Sequence, residues 1–392
     1  MNMKRRFALM LAAVMCIGML AGCSKKADPP ASPGDGGGSA DEGPIKIGYL
    51  GPLTGDVAQY GIAVQNGMKM YIDEINEKGG VLGRQVEIVS YDEKGDAVEA
   101  MSAFNRLVTQ DGVVAILGSV TSGPTIAVAQ EAAGMSNPIP MITASGTADE
   151  ITSYGDNMFR SCFLDPFQGE TMARYAGDIL EAKTAAVIYN SSTDYSVGLR
   201  DSFTAKCQEI GIEVVATEAY SQGDVDFRAQ LTNIHAKNPD VILVPDYYNN
   251  ADLIAQQVRG MGSEAALLGC DGWDGILNVT ADASSLTGCY FSNHYASDDP
   301  EPMVANFLSG YKAVYGEDPM SFAATAYDAA MILCDAIERA GSTDSEAIIA
   351  AMKTTDMACV TGQITFDEKN NPIKTCAIIT IDNAAYKLDR QY

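Results

Sequence analysis

Ile45-Lys-Ile-Gly-Tyr-Leu-Gly-Pro-Leu-Thr-Gly-Asp-Val-Ala-Gln-Tyr-Gly61 reads as a short β-rich run, a Gly/Pro/Thr turn and the start of a helix. Thr184-Ala-Ala-Val-Ile-Tyr-Asn-Ser-Ser-Thr-Asp-Tyr-Ser-Val-Gly198 repeats that order, with an Asp and a Tyr again in the loop between strand and helix. Around the first copy the pattern predicts strands over 45–50, 86–91, 113–118 and 140–143, and helices over 58–77, 97–110 and 125–133. Around the second it predicts strands over 184–189, 213–219, 241–245 and 265–268, and helices over 195–210, 227–236 and 252–261. Apolar runs such as Val241-Ile-Leu-Val244 point to strands covered on both faces, hence to parallel sheets. Alternating βα units predict doubly wound α/β layers, which bind ligands at the carboxyl ends of their strands. Two such lobes facing one another make a cleft.

The C-terminal third breaks the alternation. Helices are expected over 303–315, 322–340 and 345–353, then a hairpin of 362–367 and 375–381 across Glu368-Lys-Asn-Asn-Pro372. Helices assigned to the first lobe and final strands returned to the second make the chain cross between lobes three times.

Before Ile45 the sequence is of another kind. Lys4-Arg5-Arg6, an apolar run over 7–19 and Leu20-Ala-Gly-Cys23 form an export leader whose apolar part is too short to span a bilayer. The cysteine after the small residues resembles a bacterial lipobox, which implies cleavage before Cys23 and acyl chains on it. Residues 24–43, rich in Pro, Gly, Ser and Asp, hold no aliphatic side chain larger than Ala and read as a tether.

Composition narrows the function. With 26 Lys+Arg against 51 Asp+Glu, a net charge of −25, the chain is unsuited to nucleic acid, and lipid alone would hold it to a membrane. Hydrophobic residues make up 47%, enough for a large core. Beyond the leader and Cys23, cysteines stand at 162, 207, 270, 289, 334, 359 and 376, without Cys-x-x-Cys spacing or a nearby His, so no zinc site is expected. Cys359 and Cys376 flank the expected hairpin, where a disulfide and two free buried thiols are both open. Neither the phosphate-binding P-loop nor the Gly-x-Ser-x-Gly elbow occurs, and of the two histidines His235 ends a polar helix as a surface residue. The chain is therefore read as a binding protein that needs no cofactor, not as an enzyme.

Recognition has better candidates. Ser119-Val-Thr-Ser122-Gly-Pro124-Thr125 puts hydroxyls and a proline at a helix start, which suits either plain N-capping or an anion on free backbone N–H groups. Thr143-Ala-Ser145-Gly-Thr147 is a second hydroxyl-rich loop at a strand end. In the other half, Asp246-Tyr247-Tyr248 and Gly269-Cys-Asp271-Gly-Trp273 each follow a strand. A carboxylate there suits either a turn or a bound cation.

Gly51-Pro-Leu-Thr-Gly-x-x-Ala-Gln-Tyr60-Gly, Asp73-Glu-Ile-Asn-Glu-Lys-Gly-Gly-Val-Leu-Gly83, Tyr91-Asp-Glu93, Gly118-Ser-Val-Thr-Ser122 and Thr365-Phe-Asp-Glu368, in this order, resemble the substrate-binding proteins of branched-chain amino acid ABC transporters. The resemblance covers the chain from about Ile45 to its end. It implies a type I periplasmic binding fold, two doubly wound parallel-sheet lobes on a three-crossing hinge. Residues 1–22 would be the leader and 23–43 the lipidated tether. Lobe 1 would take 44–165 plus 296–370, and lobe 2 166–295 plus 371–392. By the same resemblance Ser122 and Thr147 hold the ligand's α-carboxylate. The Ser145 carbonyl and Asp271, one methylene shorter than the family's usual Glu, hold its ammonium. Tyr60, Tyr195, Tyr247 and Phe322 wall the side chain. Two departures stand out. Lys94 and Thr121 occupy the positions of the first-lobe disulfide of some members, and Trp273 beside the shorter Asp271 leaves the ligand's side chain open.

The implied partners are a free amino acid, leucine, isoleucine or valine, and a membrane permease with ATPase subunits. A sensor domain of the same fold for another amino acid or small amide is the alternative. A hydrolase of amino-acid amides is disfavoured by the lack of a nucleophile–base–metal set.

Overall fold

The computed structural model describes residues 43–392; the leader, Cys23 and the tether before Gly43 lie outside the described residues. The first lobe opens with β1 (Ile45–Gly51), α1 (Ala58–Glu77), β2 (Val86–Asp92), α2 (Ala97–Arg106), β3 (Ala115–Leu117), α3 (Ser122–Ala133), β4 (Met141–Thr143) and β5 (Met158–Arg160). Its five strands lie in the order β2-β1-β3-β4-β5, all parallel. The second lobe follows with α4 (Asp165–Asp178), β6 (Thr184–Asn190), α5 (Asp194–Ile210), β7 (Glu213–Tyr220), α6 (Arg228–His235), β8 (Val241–Leu243), α7 (Tyr248–Gly260), β9 (Ala266–Gly269) and β10 (Cys289–Asn293). The chain then forms α8 (Pro302–Tyr315), α9 (Ser321–Ala340), α10 (Ser345–Met352), β11 (Asp356–Cys359) and β12 (Gly362–Thr365), and ends in β13 (Ala377–Asp382) and β14 (Ala385–Gln391). The seven-stranded second sheet runs β14-β13-β10-β9-β8-β6-β7.

β3, β4 and β8 are buried along their whole length, as strands with helices on both faces must be. α1 buries one face, including Tyr60, Val64, Met68 and Ile72, against β1 and α9. Its Gly67 lets the two helices touch, since a Cβ there would fall 2.0 Å from the Ala323 carbonyl oxygen. α9 thus belongs with the first sheet, and β13 and β14 with the second. The chain passes between the sheets at 161–164, at 294–301 and at 366–376. Lys374, on the third passage, donates to the Ser161 carbonyl on the first at 2.8 Å and also to the Thr361 hydroxyl.

Several expectations need correction. The segments over 362–367 and 375–381 do not form a hairpin. β12 pairs back onto β11, and β13 pairs with β10 and β14, so the Glu368–Pro372 turn opens a passage between sheets. Real reversals stand nearby, the one at Asn383-Ala384 with both residues in the left-handed region. Cys359 and Cys376 consequently lie in different parts of the fold, and all seven cysteines among the described residues are free and buried. The second sheet is not wholly parallel, because β13 and β14 run antiparallel at its edge. The helix expected over 97–110 loosens into a wider turn at Leu107–Asp111, and the strand over 113–118 shrinks to Ala115–Leu117. The helix expected from 252 begins at Tyr248, and the one expected from 125 begins at Ser122. β5, α4, β10, β11 and β14 have no counterpart among the expected elements.

Candidate functional site

The loops at the carboxyl ends of β3 and β4 present small hydroxyl groups. α3 starts at Ser122 behind Thr121, whose side chain makes no capping bond to the first turn. The Ser122 hydroxyl accepts from the Ala148 N–H at 3.3 Å instead, and the Ser145 hydroxyl donates to the Val120 carbonyl at 2.8 Å. Plain N-capping therefore does not account for these hydroxyls. They knit two loops together and leave the first turn of α3 facing the cleft. Beneath the loop lies Glu93, fully buried, whose carboxylate accepts from the Ser119 hydroxyl. Burial, with Asp92 and Asp96 adding repulsion, pushes the Glu93 carboxyl up to about 7.

The second lobe supplies charge. Asp271 opens a short helical turn after β9 and is buried. Its Oδ1 accepts from Tyr195 Oη at 2.8 Å and from Gln168 Nε2 at 3.1 Å, and its Oδ2 lies 3.2 Å from His294 Nε2. Gln168 returns the contact by accepting from the Asp271 N–H at 3.0 Å. Burial holds the His294 ring below the usual imidazole range despite the neighbouring carboxylate, so the ring is neutral at pH 7. Burial also keeps the Tyr60, Tyr195 and Tyr247 phenols far above their ordinary range, as neutral hydroxyls.

Tyr60, Val120, Thr121, Ser122, Ser145, Tyr195, Tyr247, Asp271 and Phe322 line one small cavity between the lobes. Tyr195 and Tyr247 stack at 5.0 Å, and Tyr60 meets Phe322 edge to face at 4.9 Å. Tyr60 also joins the lobes: its hydroxyl donates to the Gly272 carbonyl at 2.5 Å and accepts from the Tyr248 N–H at 3.2 Å. Tyr248 Oη and Asn249 Nδ2 donate back to the Asp56 carbonyl at 2.6 and 2.7 Å.

Of the eight residues expected to bind ligand, Thr147 alone is absent from the cavity wall. It is buried behind it, next to Asp165 at the start of α4. Among the described residues neither Asp165 oxygen has a partner in hydrogen-bonding geometry, and burial drives its carboxyl well above the usual range. Trp273 is fully buried, its indole donating to the Val244 carbonyl at 2.8 Å and its ring covering Gly269; it shapes the turn under Asp271 and is not on the wall. Sequence reasoning missed Asp165, Gln168 and His294. Asp165 and Gln168 lie on α4, and His294 follows β10, both unassigned elements, so nothing placed these residues near the cleft. His235 is exposed, as expected. Among the described residues no group of three His, Cys, Asp or Glu side chains could hold a metal ion, and no helix is long and apolar enough to cross a membrane.

Two α/β lobes, three passages between them and a small polar-ended cavity at the strand ends define a solute-binding protein. The chain belongs to the periplasmic binding protein family, whose profile matches residues 44–385. A Leu/Ile/Val-binding protein of Rhizobium johnstonii is 34% identical over 328 residues, covering 83% of this chain and 88% of the relative. A leucine binding protein of Thermotoga maritima superposes with a TM-score of 0.83 at 34% identity, over 88% of this chain and 98% of that one. A branched-chain amino acid transporter substrate binding protein of Streptococcus pneumoniae, solved in complex with isoleucine, gives 0.81 at 36% identity, over 89% and 98%. The relatives named here are solute-binding proteins, one of them of a branched-chain amino acid transporter, and none is named as an enzyme.

Proposed function

We propose that this protein is the extracytoplasmic substrate-binding lipoprotein of an ABC importer, anchored through Cys23, and that it captures leucine, isoleucine or valine between its lobes. The observation that carries the reading is the cavity, whose two walls differ in kind. One wall has hydroxyls and a helix start on the first lobe; the other has a buried carboxylate on the second. An α-amino acid has an anionic and a cationic end that match them, and tyrosines and Phe322 enclose an apolar side chain. On this reading lobe 1 is 44–165 plus 296–370 and lobe 2 is 166–295 plus 371–392. Ligand docks on Ser122 and Ser145, with Thr147 shaping the loop from behind. Closure then brings Asp271, Tyr195 and Tyr247 over it. Only contacts made from both lobes favour the closed form, which a permease with its ATPase subunits would accept. Burying a leucine-sized side chain adds roughly 1.5–3 kcal/mol, and charge-assisted hydrogen bonds in a dry cleft are about twice as strong as neutral ones. The relatives named above support the ligand class.

Thermal-shift screening of the ligand-free protein against the twenty amino acids tests this. Leucine, isoleucine and valine should raise the melting temperature most, and a flat response to all twenty contradicts the reading. Membrane fractionation tests the anchor: Cys23→Ala should release the protein or block its processing.

A further inference from the structure

We propose that His294 is the positioning residue of the ammonium site: from the second passage between the lobes, it holds the Asp271 carboxylate toward the cavity. The proposal rests on the reading that Asp271 meets the ligand's ammonium. His294 is not on the cavity wall, so it acts through Asp271 and not on the ligand.

The argument is geometric. A carboxylate on a short turn has two torsions to lose, and three side chains from three different elements remove them. Tyr195 from α5 and Gln168 from α4 both engage Oδ1. Oδ2 meets the His294 ring alone among the described side chains. An ionised carboxylate only accepts, so the ring nitrogen facing it must carry the proton, which fixes the Nε2–H tautomer. Nδ1 is then unprotonated, and it has no hydrogen-bond partner among the described residues. The ring cannot swing away, because its side chain is wholly buried and it stacks on Phe163 at 3.9 Å with 26° between planes. Phe163 lies on the first passage between the lobes and His294 on the second. Two of the three hinge strands are thus stacked directly behind the acidic wall of the cavity. A neutral donor leaves the Asp271 charge intact, whereas a lysine or arginine at this place would neutralise it and compete with the ligand's ammonium.

His294→Phe keeps the ring stack on Phe163 and removes the donor; His294→Gln keeps an N–H donor. Calorimetry with leucine should show His294→Phe weakened about tenfold or more, the scale of a lost hydrogen bond to a charged group. His294→Gln should stay within about threefold of wild type. In an Asp271→Asn background His294→Phe should add less than about twofold, because both changes remove one interaction. Equal weakening in both backgrounds, or no weakening by His294→Phe, overturns the proposal. If His294→Phe fails to fold, ring ¹⁵N spectra of the wild type decide. The chain has two histidines, and exposed His235 serves as the reference. Leucine should shift the His294 ring signals and leave those of His235 in place; unmoved His294 signals overturn the proposal. A wild type that binds no α-amino acid defeats the underlying reading and the proposal with it. Leucine binding lost in Asp271→Asn but kept in His294→Phe defeats the proposal alone.

Discussion

The two walls of the cleft are built on the same plan and carry different chemistry. On the first lobe, loops after β3 and β4 present hydroxyls and a helix start, tied to each other by Ser122–Ala148 and Ser145–Val120 bonds. On the second, the loop after β9 presents one carboxylate, tied down by side chains from α4, α5 and the second passage. Dipoles of the first kind are many, and removing one leaves others in place. A single buried charge has no substitute. The comparison teaches that sensitivity to mutation should be lopsided even though both walls touch the ligand.

That asymmetry orders the expected effects. Asp271→Ala should cost the most, because removing one partner of a desolvated charge pair costs on the order of 2–5 kcal/mol, or roughly 30-fold or more in leucine affinity by calorimetry. A loss within about threefold would remove Asp271 from the site. Tyr60→Phe keeps the ring against Phe322 but deletes both bonds to the second lobe. Affinity should fall about tenfold, carried mainly by faster dissociation in stopped-flow traces. An unchanged off-rate would show that the tyrosine does not latch the lobes. Ser122→Ala should cost only about threefold, since backbone N–H groups of α3 still face the carboxylate. A loss as large as that of Asp271→Ala would break the comparison between the walls.

The smallest expected change concerns stability and reaches the first wall from beneath. The Glu93 carboxyl sits at about 7 in the folded protein against an ordinary value of 4.5. Between those values the native state binds more protons than the unfolded state, so this group's stabilisation is complete below about 4.5 and is lost as pH rises through about 7. Glu93→Gln should remove that dependence. Its melting temperature should fall less than that of wild type between pH 5 and pH 8; parallel curves would mean Glu93 does not titrate there.

How legible was this in the sequence? The bounds of α1, 58–77, follow from its apolar spacing and the Gly79-Gly80 stop, and the loops carrying Ser122, Ser145 and Asp271 follow from strand ends. α4 escaped because its stripe is broken by polar residues and glycines. Gly169 is there for close packing, a Cβ falling 2.0 Å from Ser202 Oγ, which no local pattern encodes. β5, Met158–Arg160, has its short apolar run closed by a charged residue, and β10 alternates too weakly to read. The false hairpin over 362–381 has the same cause in reverse: two strand-like runs and a turn are local features, whereas the choice of partner strand is made by tertiary packing. Gln168 and His294, fixed by contacts 103 and 23 residues away from Asp271, belong to that non-local class.

The central claim is that the cavity bridges the two charged ends of an α-amino acid. Calorimetric titration of the ligand-free protein with leucine and with N-acetyl-leucine, which keeps the carboxylate and side chain but loses the ammonium, tests it directly. The account predicts saturable binding of leucine and no measurable binding of N-acetyl-leucine. Equal affinity for the two would contradict it.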